Sequence, residues 1–183
     1  MEISNIKLII WDLDETFWAG TLSEESVTLL EENTTLVKHL VDCGIMNSIC
    51  SKNDYDSAKS ILEESGLWDY FIFPKISWQP KGEIIRDLIT EMNLRSCNVL
   101  FIDDNPSNLN EAKYYSPELL TALPDCLPEL IRQASTLHIS DKSHKRLVQY
   151  RVLEQKQAES RSCLCFGRRR CSWRSCYRCS RSI

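Results

Sequence analysis

Ile6-Lys7-Leu8-Ile9-Ile10-Trp11-Asp12-Leu13-Asp14-Glu15-Thr16 decides the fold. Residues 6–11 are almost continuously apolar, with no clean polar alternation. That pattern predicts a strand buried on both faces, as strands of parallel sheets are. The run ends at Asp12, and a second acid, Asp14, follows two residues later. Ligands of open parallel sheets sit beyond the carboxyl ends of the strands, so both acids stand where a ligand would bind. A carboxylate there can attack phosphorus and form an aspartyl-phosphate. A second can protonate the leaving oxygen and later deprotonate water. Taken alone, Asp-x-Asp suits a capped turn with two solvated acids equally well.

Working outward, the same grammar repeats. Residues 45–50 read as a second strand, 70–73 as a short third one stopped by Pro74, 99–102 as a fourth and 119–123 as a fifth. Helical stripes lie between them. Leu36, Val37, Leu40 and Val41 form one, stopped by Gly44. Ala58, Ile61, Leu62 and Ser65 form another, stopped by Gly66. Ile84, Ile85, Leu88 and Ile89 form a third. Gln79-Pro80 and Asn105-Pro106 mark helix starts, where proline fits the first turn. Alternating strands and helices predict an α/β architecture, a parallel sheet with helices on both faces.

Three more segments fall at or just beyond strand ends: Ser51-Lys52-Asn53, Lys81 and Asp103-Asp104. Ser51 and the backbone amides after it suit phosphate oxygens at a helix start, although Ser51, Asn53 and Asp54 also suit plain helix capping. Lys81 opposes the helix dipole at its position, which points to a role against phosphate charge and Asp12. Asp103-Asp104 suits a hard cation bound by oxygen, or a cap for the helix at Asn105-Pro106. Four such segments at one sheet edge together point to magnesium-assisted phosphoryl transfer, which no one of them does alone.

Composition narrows the classes. An apolar fraction of 43% suffices for an ordinary core. The net charge of −4 hides an asymmetry: residues 161–183 carry seven arginines and no acid, leaving the rest near −11. An acidic body gives no support to nucleic-acid binding. The apolar stretch at residues 8–11 is too short for a signal peptide or a membrane span. With scattered body cysteines (Cys43, Cys50, Cys97, Cys126), this sets the expectation of a cytoplasmic protein with reduced thiols. The expected organisation is a catalytic core over residues 1–140, a C-terminal helix over 141–159 and an Arg/Cys/Ser-rich tail over 160–183. The tail reads as a disordered or non-native end. Its Cys176-x-x-Cys179 pair, among Cys163, Cys165 and Cys171, is a weak zinc signal.

The ordered motifs Asp-Leu-Asp-Glu-Thr (12–16), Ser51, Lys81 and Asp103-Asp104 resemble the haloacid dehalogenase (HAD) superfamily. The longer strings Trp11–Leu22, Cys50-Ser-Lys-Asn-Asp, Ile76-Ser-Trp-Gln-Pro-Lys and Phe101-Ile-Asp-Asp-Asn-Pro are similar to its FkbH-like (HAD-IIIC) branch. The resemblance spans about residues 6–157. It implies a Rossmann-like three-layer α/β/α core using Mg2+. Asp12 would be the nucleophile and a metal ligand. Asp14 would be the acid/base, with its backbone carbonyl on the metal. Ser51, Asn53 and Lys81 would bind the phosphoryl group. Asp104 would be the preferred metal ligand of its pair, with Asp103 behind it or orienting Lys81. An acid at position 14 fits a phosphatase or phosphotransferase and argues against dehalogenation.

Only 36 residues separate Asp14 from Ser51 and 29 separate Ser51 from Lys81, so no cap domain is expected. Phe17, Trp18 and Trp78 are packing residues or line an open entrance. The FkbH-like resemblance implies loading of a glyceryl unit from a phosphorylated three-carbon acid onto an acyl carrier protein. Cys50 is the nearest thiol for an acyl relay, against its plainer reading as a buried strand residue. Two alternatives remain open: a general phosphatase of a small metabolite or phosphoprotein, and a truncated, non-catalytic, partner-binding remnant. No membrane or nucleic-acid partner is expected.

Overall fold

The structure is a computed structural model, and it describes residues 2–24 and 26–166, the last six of these as backbone only. Its elements are β1 (Leu8–Trp11), β2 (Trp18–Ala19), β3 (Thr28–Leu29), α1 (Glu31–Asp42), β4 (Met46–Ser51), α2 (Tyr55–Glu64), β5 (Lys75–Ile76), α3 (Lys81–Glu91), β6 (Val99–Ile102), α4 (Pro106–Tyr115), β7 (Leu120–Ala122), α5 (Leu127–Ala134) and α6 (Lys145–Phe166). β5, β4, β1, β6 and β7 form one parallel sheet in that order. Three layers, α/β/α, are the architecture the alternation of strand and helix predicts.

Pleating splits the strand side chains between two cores. Ile9, Trp11, Ile49, Leu100 and Ile102 face one layer, which includes Leu36, Val37 and Leu40 of α1, Ala58 of α2 and Leu130 of α5. Leu8, Ile10, Met46, Cys50 and Phe101 face the other, with Ile85 and Leu88 of α3, Leu109 of α4 and Leu147 of α6. Burying each large aliphatic side chain contributes about 1.5–3 kcal/mol, and β1 is fully buried on both sides. Polar residues also enter this core from β4: Ser48 donates to the Phe73 carbonyl at 3.1 Å, and Asn47 accepts from the Trp11 indole at 3.0 Å and donates to the Val37 carbonyl at 3.2 Å. Both ends of its amide are satisfied, so its burial carries no unpaired polar group.

The expected third strand is displaced. Phe71 makes a single bridge to Asn47, and the strand proper is Lys75–Ile76, paired with Cys50 and Ser51. The physical reason lies between them: Phe73 adopts φ 49°, and Pro74 has no N–H to give a ladder. Tyr70 belongs to a short 3-10 turn. The β2–β3 hairpin and α5 are elements the sequence pattern left unassigned. The C-terminal helix begins at Lys145 and runs through Phe166, past its expected end at Glu159 and into the segment expected to be tail. Leu147, Tyr150 and Leu153 pack it on the second core. The remainder of the Arg/Cys-rich segment, with its Cys176-x-x-Cys179 pair, lies outside the described residues. Among the described residues, no helix is long and apolar enough to cross a membrane.

Candidate active site

Register assembles the site. Trp11 is level with Ile49 on one side and Ile102 on the other, so Asp12 and Asp103, the residues directly after β1 and β6, are level with Cys50, one residue before β4 ends at Ser51. The Asp12 amide donates to the Ile102 carbonyl at 2.9 Å, closing the ladder at that level. Strand spacing of about 4.8 Å then leaves side chains from adjacent ends within contact.

Lys81, the first residue of α3, reaches into this cluster and is only 2% exposed. Its Nζ lies 2.7 Å from Asp12 Oδ1 and 2.6 Å from Asp103 Oδ2. Burial works against the ammonium, but the carboxylates of Asp12 and Asp103 outweigh it and hold the Lys81 pKa above its ordinary value. Asp12 is pushed the other way for an acid. Burial raises its pKa, Lys81 pulls it down, Asp103 adds to the rise, and the net is about 6.

Lys81 reaches this position because α3 and α4 are in close contact at Gly82. A Cβ there would meet Tyr115 Cδ2 at 2.5 Å and the Glu111 carbonyl oxygen at 2.9 Å. Gly82 is needed for that approach, not for its backbone freedom.

Asp103 and Asp104 diverge. Asp103 is buried and saturated: Oδ1 accepts from the Asn105 amide at 2.8 Å, and the Asn108 amide donates to both oxygens at 3.0 and 3.1 Å. Asp104 is exposed, and its backbone amide donates to Thr16 Oγ1 at 3.1 Å. Burial, then the charge of Asp103, raises its carboxyl pKa. One carboxylate oxygen from each of Asp12, Asp103 and Asp104 lies within 4.8 Å of the others. Three carboxylates against the single ammonium of Lys81 leave two negative charges. An all-oxygen donor set with that charge fits a hard divalent cation such as Mg2+.

Asp14 is fixed by the loop that follows β1. Trp18 Nε1 and the Leu22 amide donate to its Oδ1 at 2.8 and 3.1 Å, and Asn53 Nδ2 donates to Oδ2 at 3.1 Å. The loop folds back sharply, with Glu15 at φ 50° and the Phe17 and Trp18 amides both donating to the Leu13 carbonyl. Asn33 of α1, buried, donates to the carbonyls of Thr16 and Phe17 at 3.1 and 3.0 Å and pins it. Ser51 Oγ accepts from Asn53 Nδ2 at 3.1 Å, and the Ser51 side chain works weakly against the rise of the Asp12 pKa. Asp54, next along, is the N-cap of α2, accepting from the Ser57 amide. Capping therefore belongs to Asp54, and Ser51 and Asn53 turn to the crevice.

Asp12, Asp14, Ser51, Asn53, Lys81, Asp103 and Asp104 are thus brought to one sheet edge. In two places the plainer of two readings holds. Phe17 and Trp18 are fully buried packing residues and line no entrance; Trp78 alone of the three is exposed. Cys50 is also buried, and burial first of all raises its thiol pKa to about 12, so no thiolate is available there for a relay. Three participants went unassigned: Thr16, Asn108, and Trp18 as the residue that orients Asp14. Asn108 had a sequence signal, a polar residue in the first turn of a helix able to reach back before the cap.

No family model and no curated protein sequence matches this chain. Solved structures do. The N-terminal part of a Bacteroides fragilis protein containing a phosphatase domain, complexed with Mg, is similar at 25% identity and TM-score 0.61, over 73% of this chain and 41% of that one. This chain therefore spans less than half of that structure. A cobalt-bound deoxy-D-mannose-octulosonate 8-phosphate phosphatase from Haemophilus influenzae is similar at 18% identity and TM-score 0.56, over 87% and 94%. A HAD-superfamily hydrolase from Ehrlichia chaffeensis follows at 14% and 0.54, over 73% and 98%. The last two are likenesses of fold alone: this chain shares their α/β/α architecture.

Proposed function

We propose that this chain is a magnesium-dependent phosphatase of the HAD type, acting on phosphorylated small molecules through an aspartyl-phosphate on Asp12. The observation that carries this is the convergence of Asp12, Lys81, Asp103 and Asp104 at the carboxyl ends of β1 and β6, with Asp12 and Asp103 sharing the Lys81 ammonium at 2.7 and 2.6 Å. The Bacteroides neighbour, a phosphatase-domain structure holding Mg, supports it.

In this reading a carboxylate oxygen of Asp12 attacks phosphorus, and the bond to the leaving oxygen breaks. Asp14 gives that oxygen its proton, then takes one from the water that attacks the acyl-phosphate. Trp18 and Leu22 hold one Asp14 oxygen still. Asn53 ties the other to Ser51, the side chain assigned to the phosphoryl oxygens. Lys81 offsets charge on the nucleophile and the phosphoryl group and is itself held by Asp103. A Mg2+ ion bound by Asp12 and Asp104, with the Asp14 backbone carbonyl, would supply further positive charge against the phosphoryl oxygens.

The narrower FkbH-like version transfers a glyceryl unit to an acyl carrier protein as phosphate is lost. Among the described residues the segments between Asp14, Ser51 and Lys81 hold the β2–β3 hairpin, core elements and short turns, with no cap domain, which leaves room for a protein-borne acceptor, although Cys50 is not the relay. The test is phosphate release from a panel of phosphorylated metabolites, with and without Mg2+ and with and without a carrier protein. The expected result is Mg2+-dependent release, abolished in Asp12→Asn and reduced about 10²–10⁴-fold in Asp14→Asn. Full activity in Asp12→Asn would refute the mechanism.

A further inference from the structure

Lys52 lies between two residues of the site and has no part in the chemistry above. It is exposed, directly after Ser51 at the end of β4. Its Nζ is 3.4 Å from Asn108 Oδ1, and the Nδ2 of that same amide group holds both oxygens of Asp103. The side chain thus spans from β4 to α4 over the crevice, two contacts from Asp103. Lys52 differs from Lys81 in every respect that matters for binding. Lys81 is buried and shared by two carboxylates. Lys52 is in water, and its partner among the described residues is a neutral amide at the long limit of a hydrogen bond. Among the described residues no carboxylate pairs with it.

A long contact to a neutral acceptor is readily exchanged for a charge-assisted one to an anion. The surroundings make the exchange selective. The protein outside the Arg-rich C-terminal segment is strongly acidic, and Asp104 and Glu15 are exposed around the same loops. A ligand with a second negative group is repelled by that field unless a cation meets it at the rim.

We propose that Lys52 is a substrate-selecting residue: it recognises a second anionic group, carboxylate or phosphate, on a phosphate monoester whose phosphoryl group sits at Asp12. This rests on the phosphoryl-binding site proposed above. It would make the preferred substrates short phosphate esters bearing another negative charge a few atoms from the ester oxygen.

The test is equilibrium binding, so it does not depend on turnover. Three ligands of matched length are titrated with Mg2+ into Asp12→Asn protein shown to be folded: propyl phosphate, 3-(phosphonooxy)propanoate and propane-1,3-diyl bisphosphate. At least one of the two ligands with a second anionic end should bind about two- to fivefold tighter than propyl phosphate, the scale of a solvent-exposed ion pair. The advantage should shrink as salt is raised. It should vanish in Asp12→Asn/Lys52→Met and return in Asp12→Asn/Lys52→Arg, with propyl phosphate affinity unchanged throughout. Which ligand loses its advantage identifies the anion as carboxylate or phosphate. An advantage that survives Lys52→Met, or an equal loss for all three ligands, overturns the role of Lys52 alone. If none of the three binds, the phosphoryl site itself is refuted, and this proposal with it.

Discussion

At Asp12 the ordinary carboxyl pKa of 3.8 rises to about 6, through burial and the charge of Asp103 against the pull of Lys81. The sign for stability follows. The folded protein binds this proton more tightly than the unfolded chain, so the contribution of Asp12 to metal-free stability falls as pH rises from about 4 to 6 and stays unfavourable above. Asp12→Asn removes the penalty. At pH 8 without metal the variant should be more stable than wild type by about 1–3 kcal/mol, the lower end reflecting the partner Lys81 loses. Below pH 4 the difference should disappear. Thermal unfolding across pH in a chelator measures it; a variant less stable than wild type at pH 8 would contradict this account of the site. The meeting of these acids at one sheet edge was legible because residue type and strand-end position are both local features of the sequence. What the string could not display were pairings made across the sheet: Thr16 with the Asp104 amide, Asn108 with Asp103, and Trp18 with Asp14, which reads as packing until its indole N–H is placed.

Among the elements, α3 matters most because its first residue is Lys81. Its approach to α4 depends on Gly82, where an added methyl would meet Tyr115 and the Glu111 backbone. Gly82→Ala should destabilise the fold by about 1–3 kcal/mol through overpacking and should lower kcat/KM by shifting Lys81. Denaturant unfolding and kinetics check both, and a stable, fully active variant would show that the contact is not limiting. Helix α6 is tied to the same region from below: Glu154 accepts from the Phe73 amide at 3.0 Å, and Gln157 donates to the Glu91 carbonyl at 2.8 Å. Helices α1 to α3 could be read from their stripes and α4 from its Asn105-Pro106 start, and Gly44 and Gly66 do adopt the positive φ that the stops of α1 and α2 require. The edge strand was misplaced because its pairing is decided by partners, Asn47 and then Ser51, and not by its own apolar run. The two-residue strands β2 and β3 are too short to leave a periodic signal at all.

At the scale of the whole molecule, five parallel strands hold three carboxylates together, and an ion that binds only this assembled cluster must stabilise the fold. Mg2+ at a hundred times its Kd should add about 2.7 kcal/mol to unfolding and raise Tm accordingly. Asp104→Asn should remove most of that shift while leaving metal-free Tm nearly unchanged, since among the described residues its exposed carboxylate ties no other residue into the fold. A Mg2+-independent Tm in wild type would argue against the metal site. The sequence by itself determined the layered α/β order, the four site segments and their placement at strand ends, because apolar periodicity, helix stops and strand-end position are local properties of the chain. Only the tertiary structure decided that Lys81 bridges Asp12 and Asp103, that Asp103 is saturated while Asp104 is open, that Cys50 is sealed in the core, and that Lys52 reaches over the crevice to Asn108. Those facts depend on strand register and helix approach, which bring together residues far apart in the chain and leave no trace in local spacing.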